Sequence, residues 1–270
     1  GRPAGHSAYS RRMPLTPATP PAHAGHEHAV SRLRATRLAA SSKPFVARGA
    51  NAQRCPRCRL ATHLCICALR PQVPTHAGVC LLMGDIETLK PSNTGWLIAD
   101  VVPDTWAFQW SRTEVEPDLL ALLADPQWAP CVVFPPEYAK PGRAVAEVLP
   151  PAAATGDATG KRPLFILLDG TWSEARKMFR KSPYLDLFPV LGLHPETASR
   201  YRLRRSAQDH HFCTAEVAAL CLAQAGDVRA ADALDAWFDV FSAHYLSMRR
   251  QQPVPLDSPV HQRLYGVLAG

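Results

Sequence analysis

The chain has 270 residues, 30 Lys and Arg against 23 Asp and Glu, and 47% hydrophobic content. That balance excludes a fibrous or wholly disordered chain and allows a buried core in one or two domains. No stretch approaches the roughly 18–20 apolar residues of a membrane-spanning helix, and the N-terminus lacks the basic-then-apolar layout of a secretory signal. A cytoplasmic protein without membrane association or an obligate protein partner is the expectation. The formal charge of +7 sits entirely in the first 50 residues, which carry eight basic side chains and the single acid Glu27. Bulk charge therefore says little about the folded body.

Residues 1–50 are rich in Pro, Ala, Ser, Arg and His without apolar periodicity, and read as a flexible leader. Residues 51–75 form the next unit. Cys55, Cys58, Cys65 and Cys67 stand in the pattern C-x2-C-x6-C-x-C, in which two close pairs supply four soft thiolate donors to one tetrahedral cation. Structural zinc is the expected occupant. Disulfides are the alternative, but nothing marks an oxidising compartment. A closed four-thiolate site leaves no open position for a reacting water, so this metal would hold structure. Arg57 and Arg59 within the module are candidate contacts to an RNA backbone, with a solvated rim as the competing reading.

From residue 76 apolar runs alternate with helix-like patterns. Strands are expected at Gly78–Met83, Trp106–Trp110, Cys131–Phe134 and Leu164–Leu168, several of them apolar on both faces. Helices are expected at Thr94–Val101, Pro117–Leu123, Ser173–Lys181, Thr214–Ala225 and Ala231–Met248. Doubly buried strands separated by helices imply an α/β domain over 76–250 with a mostly parallel sheet and helical crossovers. Residues 139–163 read as a surface insertion and 251–270 as a C-terminal tail.

Ligands in open α/β sheets bind at the carboxyl ends of strands. There the sequence LFILL runs into Asp169, Gly170, Thr171 and Trp172, an acid and a glycine opening a helix that Thr171 or Ser173 can cap. The loop after the first strand carries Asn93, Thr94 and Gly95, polar groups beside a residue that permits close backbone approach. Two further candidates are the loop with Pro135, past a strand, and Thr214 with Glu216 at a late helix entry, whose plain reading is an N-cap. Arg176, Lys177 and Arg180, followed by Arg202 and Arg204, concentrate positive charge between residues 171 and 205, as a basic face for RNA or simply a solvated helix. The phosphate-loop-like GDATGK at 156–161 precedes a strand and lacks the Ser or Thr after its Lys, and is noise.

The ordered set of four cysteines, Asn93-Thr94-Gly95, Asp169-Gly170-Thr171-Trp172, Tyr201-Arg202-Leu203-Arg204 and Thr214-Ala215-Glu216 resembles the DTW-domain family from about residue 54 to about 245. The family signature D-x-T-W falls on Asp169, whereas the literal tripeptide Asp104-Thr105-Trp106 introduces a strand. The resemblance implies a tRNA-uridine aminocarboxypropyltransferase. Such an enzyme moves the 3-amino-3-carboxypropyl group of S-adenosylmethionine to uridine N3 and releases methylthioadenosine. It also implies kinship with the SPOUT class of α/β methyltransferases, some of them knotted. Carried over residue by residue, it makes Asp169, Thr171 and Trp172 the catalytic candidates. Asn93, Thr94, Gly95, Pro135, Gly170, Thr214 and Glu216 become candidates for holding the donor. The chain departs from the family at Gly84, Asp85 and Glu87, where a His-Pro pair before an acid is common, at Trp96, where an Arg often stands, and at Cys213.

Three roles for Asp169 stay open at this level: base for the uridine N3 proton, anchor for the donor's ammonium group, or orienter of the acceptor. A base role requires burial to raise a carboxyl pKa that is ordinarily about 3.9. A SPOUT-type RNA methyltransferase and a noncatalytic zinc-dependent RNA-binding module are the alternative readings.

Overall fold

The computed structural model describes residues 27–42, 53–147, 149, 160–193, 212–250 and 252–270. The expected Arg202 and Arg204, and most of the leader, lie outside them.

Six parallel strands form one sheet in the order β2-β1-β5-β3-β6-β4: β1 Gly78–Met83, β2 Thr105–Gln109, β3 Trp128–Val133, β4 Val145–Ala146, β5 Arg162–Asp169 and β6 Val190–Leu191. The two central strands β1 and β5 are apolar at nearly every position because helices cover both faces. Val79, Leu81 and Met83 of β1, with Phe165 and Leu167 of β5, turn to one face. There they meet α2 (Gly95–Val101), α5 (Thr214–Gln224) and α6 (Val228–Arg250). Cys80, Leu82, Leu164 and Ile166 turn to the other, against α3 (Pro117–Ala124) and α4 (Trp172–Lys181).

Two-residue alternation then decides where the strand-end acid goes. Asp169 shares its parity with Phe165 and Leu167, so its side chain belongs to the face of α2 and α5. The chain leaves β1 toward α2 on that face and leaves β5 toward α4 on the opposite one. The carboxyl ends of β1 and β5 are thus a topological switch point, where open α/β sheets form their crevices, and Met83 pairs with Asp169 there.

Three segments depart from the sequence reading. Within the supposed flexible leader, Ala29–Ala39 is a helix, α1, packed on β2 and the loop after β1. It lacks a broad apolar stripe, burying Val30 fully and Leu33 in part, and docks largely through polar groups. Arg34 donates to the Thr88 carbonyl at 2.8 Å, Arg37 pairs with Asp85 at 2.9 Å, and the buried His28 lies 3.3 Å from Asp100. The supposed insertion contributes β4, and the supposed tail contributes α7, Pro259–Ala269, against α6.

Removing residues 1–50 uncovers Asp100 and Trp96 and exposes the Val30 site, which alone is worth about 2 kcal/mol of burial, so the melting temperature falls by several degrees. Parental melting of the truncated chain would show that α1 contributes nothing.

Candidate functional site

Two loops and two helix starts converge on Asp169. Its carboxylate is buried, with 4% exposure, and each oxygen has its own donor. The Asn93 amide donates to Oδ2 at 2.7 Å, and the Thr214 hydroxyl donates to Oδ1 at 2.6 Å. Asn93 works in both directions, because its Oδ1 accepts the Trp96 N–H at 3.0 Å and so fixes the first turn of α2. Thr94 joins the second loop to α5, its hydroxyl accepting the Ala215 N–H at 3.3 Å. The Asp169 carbonyl accepts the Gly84 N–H at 2.8 Å and holds the end of β5 to the loop after β1.

Gly95 is glycine for a steric reason. A Cβ built there would sit 2.7 Å from Asp169 Oδ2 and 3.3 Å from Asn93 Oδ1. Gly95→Ala is expected to push the carboxylate off its two donors, costing about 1–3 kcal/mol of stability and most of any activity that uses Asp169. A variant with parental melting and turnover would contradict this packing.

Burial pushes the Asp169 carboxyl up to about 6, against the opposing effect of the Thr214 and Asn93 hydrogen bonds. The carboxylate of Glu87 nearby adds to the rise and Lys90 works against it. Lys90 and Glu87 are themselves ion-paired. Asp169 is thus mostly ionised at neutral pH, yet more basic than an exposed aspartate.

The remaining expected residues divide. Thr171 is the N-cap of α4: its hydroxyl accepts the Glu174 N–H at 3.4 Å, and Glu174 accepts the Thr171 N–H at 2.8 Å. Gly170 packs against that cap, since a Cβ there would lie 3.0 Å from Glu174 Cβ. Glu216 accepts the Cys213 N–H at 2.9 Å, the plain cap reading. Pro135 leads into the turn Pro136–Tyr138. Trp172 is at the surface, 41% exposed, stacked on Phe134. The literal Asp104 precedes β2, at the amino end of the sheet, and pairs with Arg162.

The four cysteines meet in space. Their sulfur atoms all lie within 4.8 Å of one another, with Cys55 to Cys67 at 3.6 Å and Cys65 to Cys55 at 3.7 Å. Four sulfurs at about 2.3 Å from one zinc ion stand about 3.8 Å apart in a tetrahedron, so the cluster fits a metal such as zinc. None of the eight cysteines is in a disulfide.

Arg59 corrects an expectation. It is 3% exposed and not available to an RNA backbone. Its backbone is left-handed, φ 65°, the only such non-glycine among the described residues. This follows from the tight turn that brings Cys55 and Cys58 together, with the Arg59 N–H donating to the Cys55 carbonyl at 2.9 Å. The guanidinium lies 4.4 Å from the Trp96 ring centre and 5.2 Å from that of Phe241, and donates to the Asn93 carbonyl at 2.8 Å. One residue thus ties the cysteine module to the turn that holds Asp169. A buried arginine in a left-handed turn is not something that residue spacing signals. Trp96 supplies the ring on which Arg59 stacks.

A family model described as the DTW domain matches residues 52–246. The chain belongs to the DTW-domain family. The match spans the cysteine module, the sheet, helices α2 to α5 and most of α6. Membership in the DTW-domain family associates the chain with tRNA modification and with a transferase class. No solved structure matches the chain. No helix among the described residues is long and apolar enough to cross a membrane.

Proposed function

We propose that this DTW-domain protein transfers the 3-amino-3-carboxypropyl group of S-adenosylmethionine to N3 of a tRNA uridine. The observation that carries the proposal is the buried Asp169 carboxylate, raised to about 6 and held between Asn93 and Thr214 at a switch point of the sheet. Family membership supplies the substrate class. The knotted SPOUT-like topology belongs to the same proposal, by resemblance.

Uridine N3 carries a proton and becomes a nucleophile as that proton leaves. Asp169 takes the proton. The freed N3 electron pair then attacks the γ-carbon of the methionine moiety, and the carbon–sulfur bond breaks with its electrons passing to sulfur. Neutral methylthioadenosine departs. A sulfonium activates three carbons, so the product depends on which carbon is aligned within about 3–3.5 Å of N3. Thr214 and Asn93 hold Asp169 in a single orientation and their hydrogen bonds favour its ionised form. Zinc, bound by Cys55, Cys58, Cys65 and Cys67, would stabilise the module that carries Arg59 to the Asn93 turn.

The test is incubation of the full chain with bulk tRNA and labelled donor, followed by nucleoside mass analysis. A gain of about 101 Da on uridine supports the proposal. A gain of about 14 Da indicates methyl transfer, the outcome of aligning another carbon. RNA binding without any mass change or donor affinity would replace the proposal with a noncatalytic role.

A further inference from the structure

Arg59 is a buried cation whose hydrogen bonds are incomplete. Its Nη1 donates to the Asn93 carbonyl at 2.8 Å and reaches toward the Lys90 carbonyl at 3.5 Å. Its Nε and Nη2 are buried and have no hydrogen-bond partner among the described residues. The Trp96 and Phe241 rings beside the guanidinium attract its charge through their faces but supply no conventional acceptor. A charged group taken out of water with donors unfilled is among the most costly arrangements a core can hold. Nearly all buried donors in folded proteins have a partner, so this pair calls for one.

The two unfilled donors are not an arbitrary pair. The N–H groups of Nε and Nη2 point the same way and form the side-on fork that grips both oxygens of a carboxylate. Arg37 displays that geometry in the same chain, its Nε and Nη2 donating to Oδ1 and Oδ2 of Asp85 at 2.9 and 3.2 Å. In Arg59 the same fork is unpartnered, and only Nη1 meets the backbone.

The place of Arg59 in the fold points to the oxyanion. The carbonyl of Asn93 holds the guanidinium, and the side chain of the same residue holds Asp169. Cation and candidate base are thus fixed to a single turn. The methionine moiety of the donor ends in a carboxylate, and two carbons separate that group from the γ-carbon under attack. Fixing the carboxylate restrains the γ-carbon rather than the methyl group, which is what selection among the three sulfonium carbons requires.

We propose that the Nε and Nη2 fork of Arg59 binds the α-carboxylate of S-adenosylmethionine. The proposal rests on the reading that this compound is the donor, and adds which side chain holds its amino-acid end. Both N–H groups are closed to water, so the carboxylate enters by a local opening of the turn whose Lys90 and Asn93 carbonyls face Nη1. Enclosure then strengthens the two charge-assisted bonds.

Calorimetry on the full chain tests this, with S-adenosylmethionine, its decarboxylated analogue, methylthioadenosine and inorganic phosphate as probes. The parent is expected to bind S-adenosylmethionine about 10–100-fold more tightly than the decarboxylated analogue, the range for hydrogen bonds to a charged group. In Arg59→Met that ratio should fall to near one, while the affinity for methylthioadenosine, which has no carboxylate, stays parental. Arg59→Lys keeps a charge without the fork and should retain only part of the preference. It also supplies the measurement if Arg59→Met fails to fold.

A purely structural Arg59, or a fork filled by ordered water, would leave the ratio of the two donors at its parental value in both variants, and that result overturns the proposal. Full preference in Arg59→Lys overturns the bidentate contact. An Arg59-dependent affinity for phosphate, in a parent that does not distinguish the two donors, gives the fork to a free oxyanion and overturns the carboxylate. If the ratio behaves as expected and no nucleoside gains mass, the transferase reading fails by itself. If transfer occurs while Arg59→Met keeps the parental ratio, the Arg59 assignment fails by itself.

Discussion

Asp169→Asn is expected to reduce transfer by roughly 10²–10⁴-fold, the usual contribution of a positioned base, in a protein at least as stable at neutral pH as its parent. The two effects separate because the native carboxylate is held against its own solvation. Burial raises its pKa to about 6 from an unfolded value of about 3.9. Between those two pH values the folded chain binds more protons than the unfolded one, so wild-type stability falls as pH rises through the window. Above about pH 6 the full cost is present, on the order of 2–3 kcal/mol. An amide at position 169 has no such cost. Its oxygen can accept from Asn93, and its nitrogen can donate to Thr214 if that hydroxyl reverses, so both hydrogen-bond partners survive. The stability difference between variant and parent should therefore widen from about pH 4 to about pH 6 and stay constant above. The parental kcat/KM should rise with pH through about 6 and then level, and the variant should lack that limb. Melting curves and initial rates across pH 4–8 check both. An active variant would remove Asp169 from the chemistry.

How much of this arrangement was readable beforehand depends on the physics of each part. Gly78–Met83 and Leu164–Leu168 announce central strands because a doubly covered strand must be apolar at every position, a pattern few other segments imitate. Asp169 is legible for the same reason, as the first acid after such a run. The two-residue strands Val145–Ala146 and Val190–Leu191 are too short for any period to show: the second forms on the edge of β3, and the first on the edge of the second. Helix α1 is invisible to apolar periodicity since it docks mostly through Arg34, Arg37 and His28 to partners more than 45 residues away. The pairing of Thr214 with Asp169 spans 45 residues, and the cap motif at Thr214 gave no hint that its hydroxyl faces a carboxylate. Arg59 defeats sequence reading most thoroughly. An arginine among cysteines in a basic stretch suggests a surface, and only the fold reveals two aromatic rings and a carbonyl enclosing it.

That enclosure would make a metal held by the four cysteines answerable for the site. Stripping metal with a strong chelator, or replacing Cys58 by Ser, is expected to lower the melting temperature sharply and to abolish transfer, although no cysteine lies beside Asp169. Structural zinc in small thiolate modules contributes about 10–16 kcal/mol of apparent binding free energy, enough to maintain the left-handed turn at Arg59 and the core packing of Cys55 and Cys58. Loss of a bound ion is expected to leave four crowded sulfurs that repel once ionised, to relax the turn and to draw the guanidinium off the Asn93 carbonyl. Asn93 is then free to release Asp169. Arg59→Met separates this chain of effects from general unfolding. It retains the four thiolates, so metal analysis should still give one ion per chain. The Asn93 carbonyl loses a charged hydrogen bond worth about 1.5–3 kcal/mol, and turnover should fall by roughly 10–100-fold. A metal-free chain that melts and turns over like its parent would refute the structural role of the ion. A fully active Arg59→Met would confine that role to the module itself, leaving the Asp169 site to be held by Thr214, Gly95 and the strand ends alone.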